Sequence, residues 1–247
     1  MTREPFALTS SRLTVHYGKN LILSDIDLTV PKGSLVGIIG PNGAGKSTLM
    51  KALLQLIPRS YGTVLFCGKP LEEMREELAY IPQRESVDWH FPISVRELVL
   101  MGRYGKLKTC YRPSKQDHLI VNEQLERLGI QEIADRPIGE ISGGQQQRAF
   151  MARALCQEPS ILFLDEPFIG IDIATEAALI TLFKELCSQG KTIFIVHHAL
   201  ATATQYFDWI ILLNKKLFAS GKTDEVFCRE TIGETYGHAN LPFSAMF

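Results

Sequence analysis

One short stretch of the chain combines residue types that can hold phosphate groups. It fits the pattern G-x-x-x-x-G-K-[ST], in which glycines let backbone N–H groups turn toward a phosphate without a Cβ in the way. We expect the Lys46 ammonium to reach the β- and γ-phosphates and the Ser47 hydroxyl to ligate Mg²⁺. The stretch therefore predicts a nucleotide site, rather than a glycine-rich turn that binds nothing. Its members are Gly40, Pro41, Asn42, Gly43, Ala44, Gly45, Lys46, Ser47 and Thr48.

Two neighbouring carboxylates could supply the metal and water chemistry of phosphoryl transfer. Asp165 and Glu166 follow four apolar residues, 161–164, which predict a buried strand. The carboxyl edge of a parallel sheet is where α/β folds bind ligands, and adjacent strand positions point to different sides. We therefore expect Asp165 to hold Mg²⁺ and Glu166 to act as the general base that activates water. Without the phosphate loop, such a pair would be read as a solvated strand end.

The elements that must position these groups are predicted by hydrophobic periodicity. Residues 1–30 alternate as an antiparallel β element with a turn at 17–20, and later apolar runs predict a mostly parallel sheet. Strand and helix alternate along the chain, which indicates helices on both faces of that sheet. The predicted strands are 35–39, 61–66, 77–81, 161–164 and 192–196. The predicted helices are 47–56, 94–101, 117–128, 144–155 and 175–188. A second GKT, at 221–223, lacks the first glycine of the phosphate pattern and predicts a surface turn.

Composition excludes several other classes of protein. The chain has 247 residues and a formal net charge of -1, which gives no long-range attraction to phosphate backbones and argues against nucleic-acid binding. The first ten residues hold no apolar run of signal-peptide type, and no stretch approaches the about 20 apolar residues of a spanning helix. The five cysteines form no C-x-x-C pair, as expected of reduced cysteines in a cytosolic protein. They are Cys67, Cys110, Cys156, Cys187 and Cys228.

The segment 141–148, ISGGQQQR, resembles the signature of the ABC ATPase family, which is usually LSGGQ followed by a helix. The resemblance covers roughly residues 10–230 and departs at Ile141, where leucine is usual, and at Ala199, where aspartate is frequent. It implies a P-loop NTPase of α/β class with an N-terminal antiparallel β element and an inserted helical subdomain. Within a single domain, residues 1–86 and 158–237 would form the nucleotide-binding core, 87–157 the helical subdomain and 238–247 a tail.

The resemblance also implies roles for individual residues. Ser142, Gly143, Gly144 and Gln145 would bind the γ-phosphate of an ATP held by a second copy of the chain, in a head-to-tail homodimer. Lys46, Gln83, Glu166 and His198 would be the catalytic residues. Ser47, Gln83 and Asp165 would hold the Mg²⁺ of Mg-ATP. Two further residues match family positions in the same order along the chain. They are Tyr17, the aromatic that stacks on adenine, and Asp172, of the D-loop.

One region narrows the resemblance to a type of transporter. Residues 82–95, 98–105 and 207–214 are similar to the ATPase subunits of manganese, zinc and iron importers. Such a subunit would lie on the cytoplasmic face of the membrane, bound to permease subunits that receive metal from an extracytoplasmic binding protein. Two alternatives remain open at this point: the ATPase of an exporter, and a soluble ABC protein such as a cluster-assembly component. The aromatic segment at Trp89, His90 and Phe91 could also serve only local packing.

Overall fold

The computed structural model describes residues 5–84, 87–89, 91–106 and 112–237. His90, Cys110 and the predicted tail 238–247 lie outside these residues. The chain divides into two compact units. The first unit comprises Met1–Met74 with Ile180–Phe247, and the second comprises Arg75–Leu179. The division into a core and a helical subdomain at 87–157 stays a prediction.

The described residues form β1 (Phe6–Tyr17), β2 (Asn20–Pro31), β3 (Leu35–Ile39), α1 (Lys46–Leu53), β4 (Tyr61–Phe66), α2 (Leu71–Met74), β5 (Leu78–Ile81), α3 (Val95–Leu100), α4 (Lys115–Arg127), α5 (Gly143–Cys156), β6 (Ile161–Leu164), α6 (Ile173–Ser188), β7 (Thr192–Val196), α7 (Leu200–Tyr206), β8 (Trp209–Asn214), β9 (Lys216–Lys222), α8 (Thr223–Val226) and α9 (Arg229–Tyr236). Every strand and helix that periodicity predicts is present, with ends displaced by a few residues. Helix α1, for example, ends at Leu53 rather than at residue 56.

The first unit contains an antiparallel sheet in the order β2-β1-β4, which confirms the predicted N-terminal β element. Alternate residues of β2 are buried, as expected of a strand with one face against a core. The buried residues of β2 are Leu23, Ile26, Leu28 and Val30, and they alternate with less buried residues from Ile26 onward.

A second sheet in the same unit is mostly parallel. Strand β3 lies between β7 and β8 and runs parallel to both, while β9 pairs antiparallel with β8. All five residues of β3 and of β7 are buried, which is the pattern of central strands covered on both faces. The carboxyl ends of β3 and β7 therefore reach the same edge of this sheet.

The second unit combines the parallel strand pair β5–β6 with a group of helices. Ser94, Ser114 and Ser142 are the N-cap residues of α3, α4 and α5, and each serine forms a capping box with the third helical residue. A buried ion pair joins Arg103 to Asp117 at 2.9 Å. Hydrogen bonds from Ser114, followed by Arg103, lower the pKa of Asp117 to about 2.

The prediction of a surface turn at the second GKT is wrong. Gly221 is a buried residue of β9 that pairs with Ile210, and Thr223 begins α8. A Cβ on Gly221 would lie 2.6 Å from the side chain of Val226, so close packing explains the glycine. The segment is part of the fold and not a second phosphate loop.

Candidate nucleotide site

The phosphate loop follows directly from β3 in the first unit. A Cβ on Gly40 would lie 1.9 Å from the carbonyl oxygen of Leu213, so only glycine fits where the chain leaves the strand. Gly45 precedes α1 with φ of +92°, a conformation that L side chains rarely adopt. The loop is thus shaped by close contact at its start and by a left-handed residue at its end, and α1 begins at Lys46.

Lys46 is buried within the loop itself. Its Nζ donates to the carbonyl oxygens of Gly40 at 2.8 Å and Pro41 at 3.0 Å, and the residue is 5% exposed. A buried ammonium is costly unless it is hydrogen-bonded, and these carbonyls supply that compensation. The positive charge therefore lies over the loop, next to the N-terminus of α1, where an anion is favoured.

Backbone hydrogen bonds at Ala44 stabilise the rest of the loop. The Ala44 carbonyl accepts from the Lys215 amide at 2.9 Å, and the Ala44 amide donates to Pro41 at 3.1 Å. Asn42 and Gly43 are exposed, while Ser47 and Thr48 are half-buried in the first turn of α1. The Ser47 hydroxyl is thereby placed at the helix N-terminus, as the motif predicts.

Tyr17 lies at the end of β1, opposite Asn20 in the β1–β2 turn. Tyr17 is 48% exposed, so its aromatic side chain is accessible to a ligand. The same hairpin reaches the phosphate loop, because a Cβ on Gly45 would meet the Leu23 side chain at 2.8 Å. This placement suits an aromatic residue that stacks on the base of a nucleotide bound by the loop.

The two histidines after β7 have different environments. His198 is exposed, whereas His197 is buried, with its Nε2 2.8 Å from the Thr202 hydroxyl and its ring packed near Tyr206 and Phe207. Burial and the adjacent His198 lower the pKa of His197 to about 4. His197 is therefore neutral at physiological pH and serves to hold the segment that carries His198.

Strand register brings His198 and the phosphate loop to the same edge of the sheet. Ile38 pairs with Val196 in the parallel ladder of β3 and β7. Gly40 and His198 each follow that pair by two residues, and the His197 amide donates to the Ile38 carbonyl at 3.1 Å. A histidine at this place can address a phosphate that the loop holds.

The second unit brings the carboxylates together with Gln83. Ile81 pairs with Leu164, so Gln83 and Glu166 each follow the pair by two residues at the carboxyl edge of β5 and β6. Asp165 is fully buried and its Oδ2 lies 3.5 Å from the Tyr80 hydroxyl. Burial and the neighbouring Asp165 carboxylate raise the pKa of Tyr80.

Glu166 adopts a strained backbone conformation. Its φ is +55°, which costs a non-glycine residue roughly 1–2 kcal/mol. Strain of this kind collects at functional sites because the surrounding structure holds a side chain in a required direction. The half-buried Glu166 is thus oriented by its backbone, a feature that suits a residue which must direct a water molecule.

The signature segment forms the N-terminus of α5. The Ser142 hydroxyl accepts from the Gln145 amide at 3.3 Å, and the Gln145 side chain accepts from the Ser142 amide at 2.9 Å. Gly143 and Gly144 occupy the first turn, which contains no acidic side chain. The helix therefore presents amides and a partial positive charge, which is an arrangement that binds anions.

Asp172 lies two residues after Gly170, whose carbonyl is near Gly144 of the signature. Its carboxylate accepts from the Thr175 amide at 3.0 Å and from the Thr175 hydroxyl at 2.7 Å, so it stabilises the start of α6. These bonds lower the pKa of Asp172. Two residues earlier, the Gly170 carbonyl lies 3.4 Å from the position of a Cβ on Gly144.

Two features were not predicted from the sequence. They are the contact of Arg84 with α5 and the role of His197 in holding the segment that carries His198. Arg84 donates two hydrogen bonds to Gln146 of α5, 62 positions away. A pairing over that distance leaves no periodic signal in the sequence. For His197, the replacement of aspartate by Ala199 was the available clue that another residue would hold the segment.

Comparison with known proteins identifies the family. The ABC transporter domain model matches residues 23–169, and within the part of the chain that the structure describes no helix has the length and apolarity of a membrane span. The chain is 50% identical over 232 residues to the manganese transport system ATP-binding protein MntB of Bacillus subtilis, covering 94% of this chain and 93% of the relative. It is 46% identical over 232 residues to the zinc transport system ATP-binding protein TroB of Treponema pallidum, covering 94% and 87%.

Solved structures agree on the fold. A chain of an inward-facing metal-chelate type ABC transporter matches with a TM-score of 0.81 at 27% identity, over 94% of this chain and 88% of the other. An ATP-binding cassette of an ABC transporter in its ADP conformation matches with a TM-score of 0.79 at 25% identity, over 93% and 98%. The fold and the site thus define a nucleotide-binding protein of the P-loop class. The chain belongs to the ABC transporter family, as an ATP-hydrolysing ATP-binding subunit.

Proposed function

We propose that this chain energises the import of a divalent metal cation, manganese, zinc or iron, by ATP-driven pairing of two copies attached to a membrane permease. The observation that carries the proposal is the 50% identity to a manganese transport ATP-binding protein over 94% of the chain. The preformed phosphate loop around Lys46 supports the nucleotide part. The metal itself is cargo of the permease.

The first step is capture of ATP by one copy. The backbone amides of residues 40–48 surround the β- and γ-phosphates, and Lys46 exchanges its bonds to Gly40 and Pro41 for phosphate oxygens. Tyr17 stacks on adenine with its exposed ring. Hydrogen bonds from the Lys46 ammonium to phosphate oxygens are charge-assisted and therefore strengthen this binding.

The donor set of the chain fits Mg²⁺. Ser47 offers a hydroxyl, Gln83 an amide oxygen and Asp165 a carboxylate, and hard oxygen ligands of this kind suit Mg²⁺ better than a softer metal. Asp165 is fully buried at the end of β6, where a carboxylate is retained for a specific partner. Mg²⁺ held by these residues would supply neutralisation of the charge that develops on the phosphate oxygens.

Hydrolysis then depends on three side chains of this chain. Glu166 accepts a proton from the attacking water, and its strained backbone holds the carboxylate in direction. Gln83 orients the water and would help to hold Mg²⁺, and the exposed His198 contacts the γ-phosphate. His197 keeps that loop in place through Thr202.

A second copy completes each site in a head-to-tail dimer. Ser142, Gly143, Gly144 and Gln145 of one copy bind the γ-phosphate held by the other, and Asp172 lies at the junction. The capped, acid-free N-terminus of α5 supports this role. Closure of the dimer moves the attached permease between its two access states, and hydrolysis reopens it.

Exposed apolar residues of the second unit support the permease as partner. Phe91 is 56% exposed, Tyr104 52% and Met101 39%, whereas Trp89 packs edge-on against Phe150 with ring centroids 5.0 Å apart. The segment thus turns Trp89 toward its own helices and Phe91 toward solvent. We propose that Phe91 meets the permease on the cytoplasmic face of the membrane, and that the metal arrives through an extracytoplasmic binding protein.

The Glu166→Gln variant tests the ATPase mechanism. We expect it to bind Mg-ATP normally, to lose hydrolysis by at least about a hundredfold because the general base is absent, and to accumulate as a dimer on size exclusion. The unaltered chain, with and without Mg-ATP, is the control. Near-normal turnover of the variant would remove Glu166 from its role.

The partner and cargo need a separate experiment. Extraction of the chain with mild detergent from its own cells should recover a membrane permease, identified by mass spectrometry. The reconstituted assembly should then hydrolyse ATP faster when its binding protein is loaded with Mn²⁺, Zn²⁺ or Fe²⁺ than when it is empty. Recovery of a soluble cluster-assembly complex, or stimulation by a lipid or drug instead, would overturn the proposal.

A further inference from the structure

The segment after β5 is joined directly to the signature helix through one arginine. Arg84 follows Gln83, and its Nε and Nη2 both donate to the side-chain oxygen of Gln146, at 3.1 and 2.8 Å. The guanidinium also lies over the Trp89 ring, 5.6 Å from its centroid, and the Trp89 indole donates to the Arg84 carbonyl at 2.9 Å. Arg84 and Trp89 therefore form one local unit.

Arg84 and Trp89 contact α5 at two positions that are one turn apart. Gln146 receives Arg84, and Phe150 receives the Trp89 ring. Gln146 is 4% exposed, and its nitrogen donates to the Ile138 carbonyl at 3.0 Å. The amide orientation is thus determined, and its oxygen needs a donor, which Arg84 provides.

The guanidinium also lies against the start of the anion-binding turn. A Cβ on Gly143 would be 3.1 Å from Cζ of Arg84 and 3.3 Å from its Nε and Nη2. A cation beside a helix N-terminus opposes the helix dipole, so this placement is unfavourable while no anion is bound. An anion bound at the turn would make the interaction with the Arg84 guanidinium favourable. An unfavourable placement that a ligand makes favourable indicates a functional role for Arg84.

We propose that Arg84 is a positioning residue of the signature: through Gln146 it holds the N-terminus of α5, so that movement of Arg84 and Trp89 changes the affinity of the Ser142–Gly144 turn for the γ-phosphate held by a second copy of the chain. The inference rests on the proposed ATP-driven pairing and deepens it. It assigns to one side chain the connection between a permease-facing segment and the anion site.

The experiment measures dimer formation in the Glu166→Gln background with Mg-ATP, by analytical ultracentrifugation. Arg84→Met, which keeps the length of the side chain and removes its charge and donors, should weaken dimerisation about tenfold to a hundredfold, the effect of losing a charge-assisted hydrogen bond. Arg84→Lys should recover part of this loss. Arg96→Met is the matched control, because Arg96 pairs with Asp135 at 2.9 Å on the surface of the same unit.

Three further measurements separate positioning from a general loss of structure. Mg-ATP binding to the monomer should be unchanged in Arg84→Met, because the Arg84 side chain contacts Gln146 and Trp89 and not the residues assigned to Mg-ATP. In a double-mutant cycle, the combined variant Arg84→Met with Gln146→Met should dimerise as well as whichever single variant has the lower dimer affinity. In the chain with Glu166 intact, Arg84→Met should raise the protein concentration needed for half-maximal ATPase activity more than it lowers the maximal rate.

The outcomes are distinct. Undiminished dimerisation of Arg84→Met, or additive effects in the cycle, would overturn the inference. If Arg84→Met fails to fold, Gln146→Met and Arg84→Lys carry the same comparison. Absence of Mg-ATP binding, or of dimerisation in the Glu166→Gln parent, would instead refute the proposed function on which the inference rests.

Discussion

The buried His197 predicts an acid sensitivity that can be measured in isolation. Its ring is 6% exposed and packs near Tyr206 and Phe207, and its pKa is lowered from 6.5 to about 4, chiefly by burial. We consider the variant His197→Gln, because the glutamine amide can still reach the Thr202 hydroxyl but does not titrate. The variant therefore removes the proton and keeps a polar partner.

The sign follows from the two pKa values. Above pH 6.5 neither the folded nor the unfolded chain protonates this ring, and it contributes no pH dependence. Between pH 6.5 and about 4 only the unfolded chain binds the proton, so stability falls as the pH falls. At pH 5 this difference amounts to about 2 kcal/mol, from 1.36 kcal/mol for each pH unit below the unfolded value.

The assay is urea unfolding followed by circular dichroism at pH 7.5 and pH 5. The free energy of unfolding should fall by about 2 kcal/mol more in the unaltered chain than in His197→Gln between the two pH values. His118→Gln, the same substitution at an exposed position of α4, serves as the control. Equal pH dependence of the unaltered chain and His197→Gln would refute the assignment of a neutral, buried His197.

Three further predictions concern the phosphate loop and the helix after β7. Lys46→Ala should weaken Mg-ATP binding about tenfold to a hundredfold by isothermal titration, because a charge-assisted contact is lost. Lys51→Ala on the same helix should bind Mg-ATP normally. Equal affinity of the two variants would contradict the role of Lys46 in the phosphate loop. Gly40→Ala should lower the thermal unfolding temperature, since its Cβ would lie 1.9 Å from a backbone carbonyl, while Gly105→Ala, which has open space, should not. Ala199→Asp should raise the free energy of unfolding by about 1 kcal/mol, because Ala199 precedes α7 without a side-chain cap; no gain would show that the position is already satisfied.

The contrast between Lys46 and Arg84 shows which parts of a site are predictable. The role of Lys46 follows from a motif whose members are neighbours in the chain, and the strand before it and the helix after it are local structures with their own periodicity. Arg84 contacts Gln146 across 62 positions, so its role depends on how the chain packs. No residue spacing near Arg84 predicts its contact with Gln146.

Positions of elements were predicted better than their exact environments. The buried strand 161–164 and the carboxylates after it follow from the sequence pattern, whereas the φ of +55° at Glu166 is visible only in the structure. Likewise, GKT at 221–223 looked like a turn because its local residues favour one. Pairing of Gly221 with Ile210 overrode that preference, since backbone hydrogen bonds in a sheet outweigh weak turn propensity.

By itself the sequence determined the class of chemistry and the order of the elements that deliver it. A glycine-rich loop ending in Lys46-Ser47, a strand ending in Asp165-Glu166 and a signature at Ser142 are short-range patterns, and their physical meaning is local. Tertiary structure alone decided that His197 is buried, that Leu213 closes against Gly40 and that Arg84 holds Gln146. These features depend on contacts between distant parts of the chain, whose geometry is set only when the whole core packs.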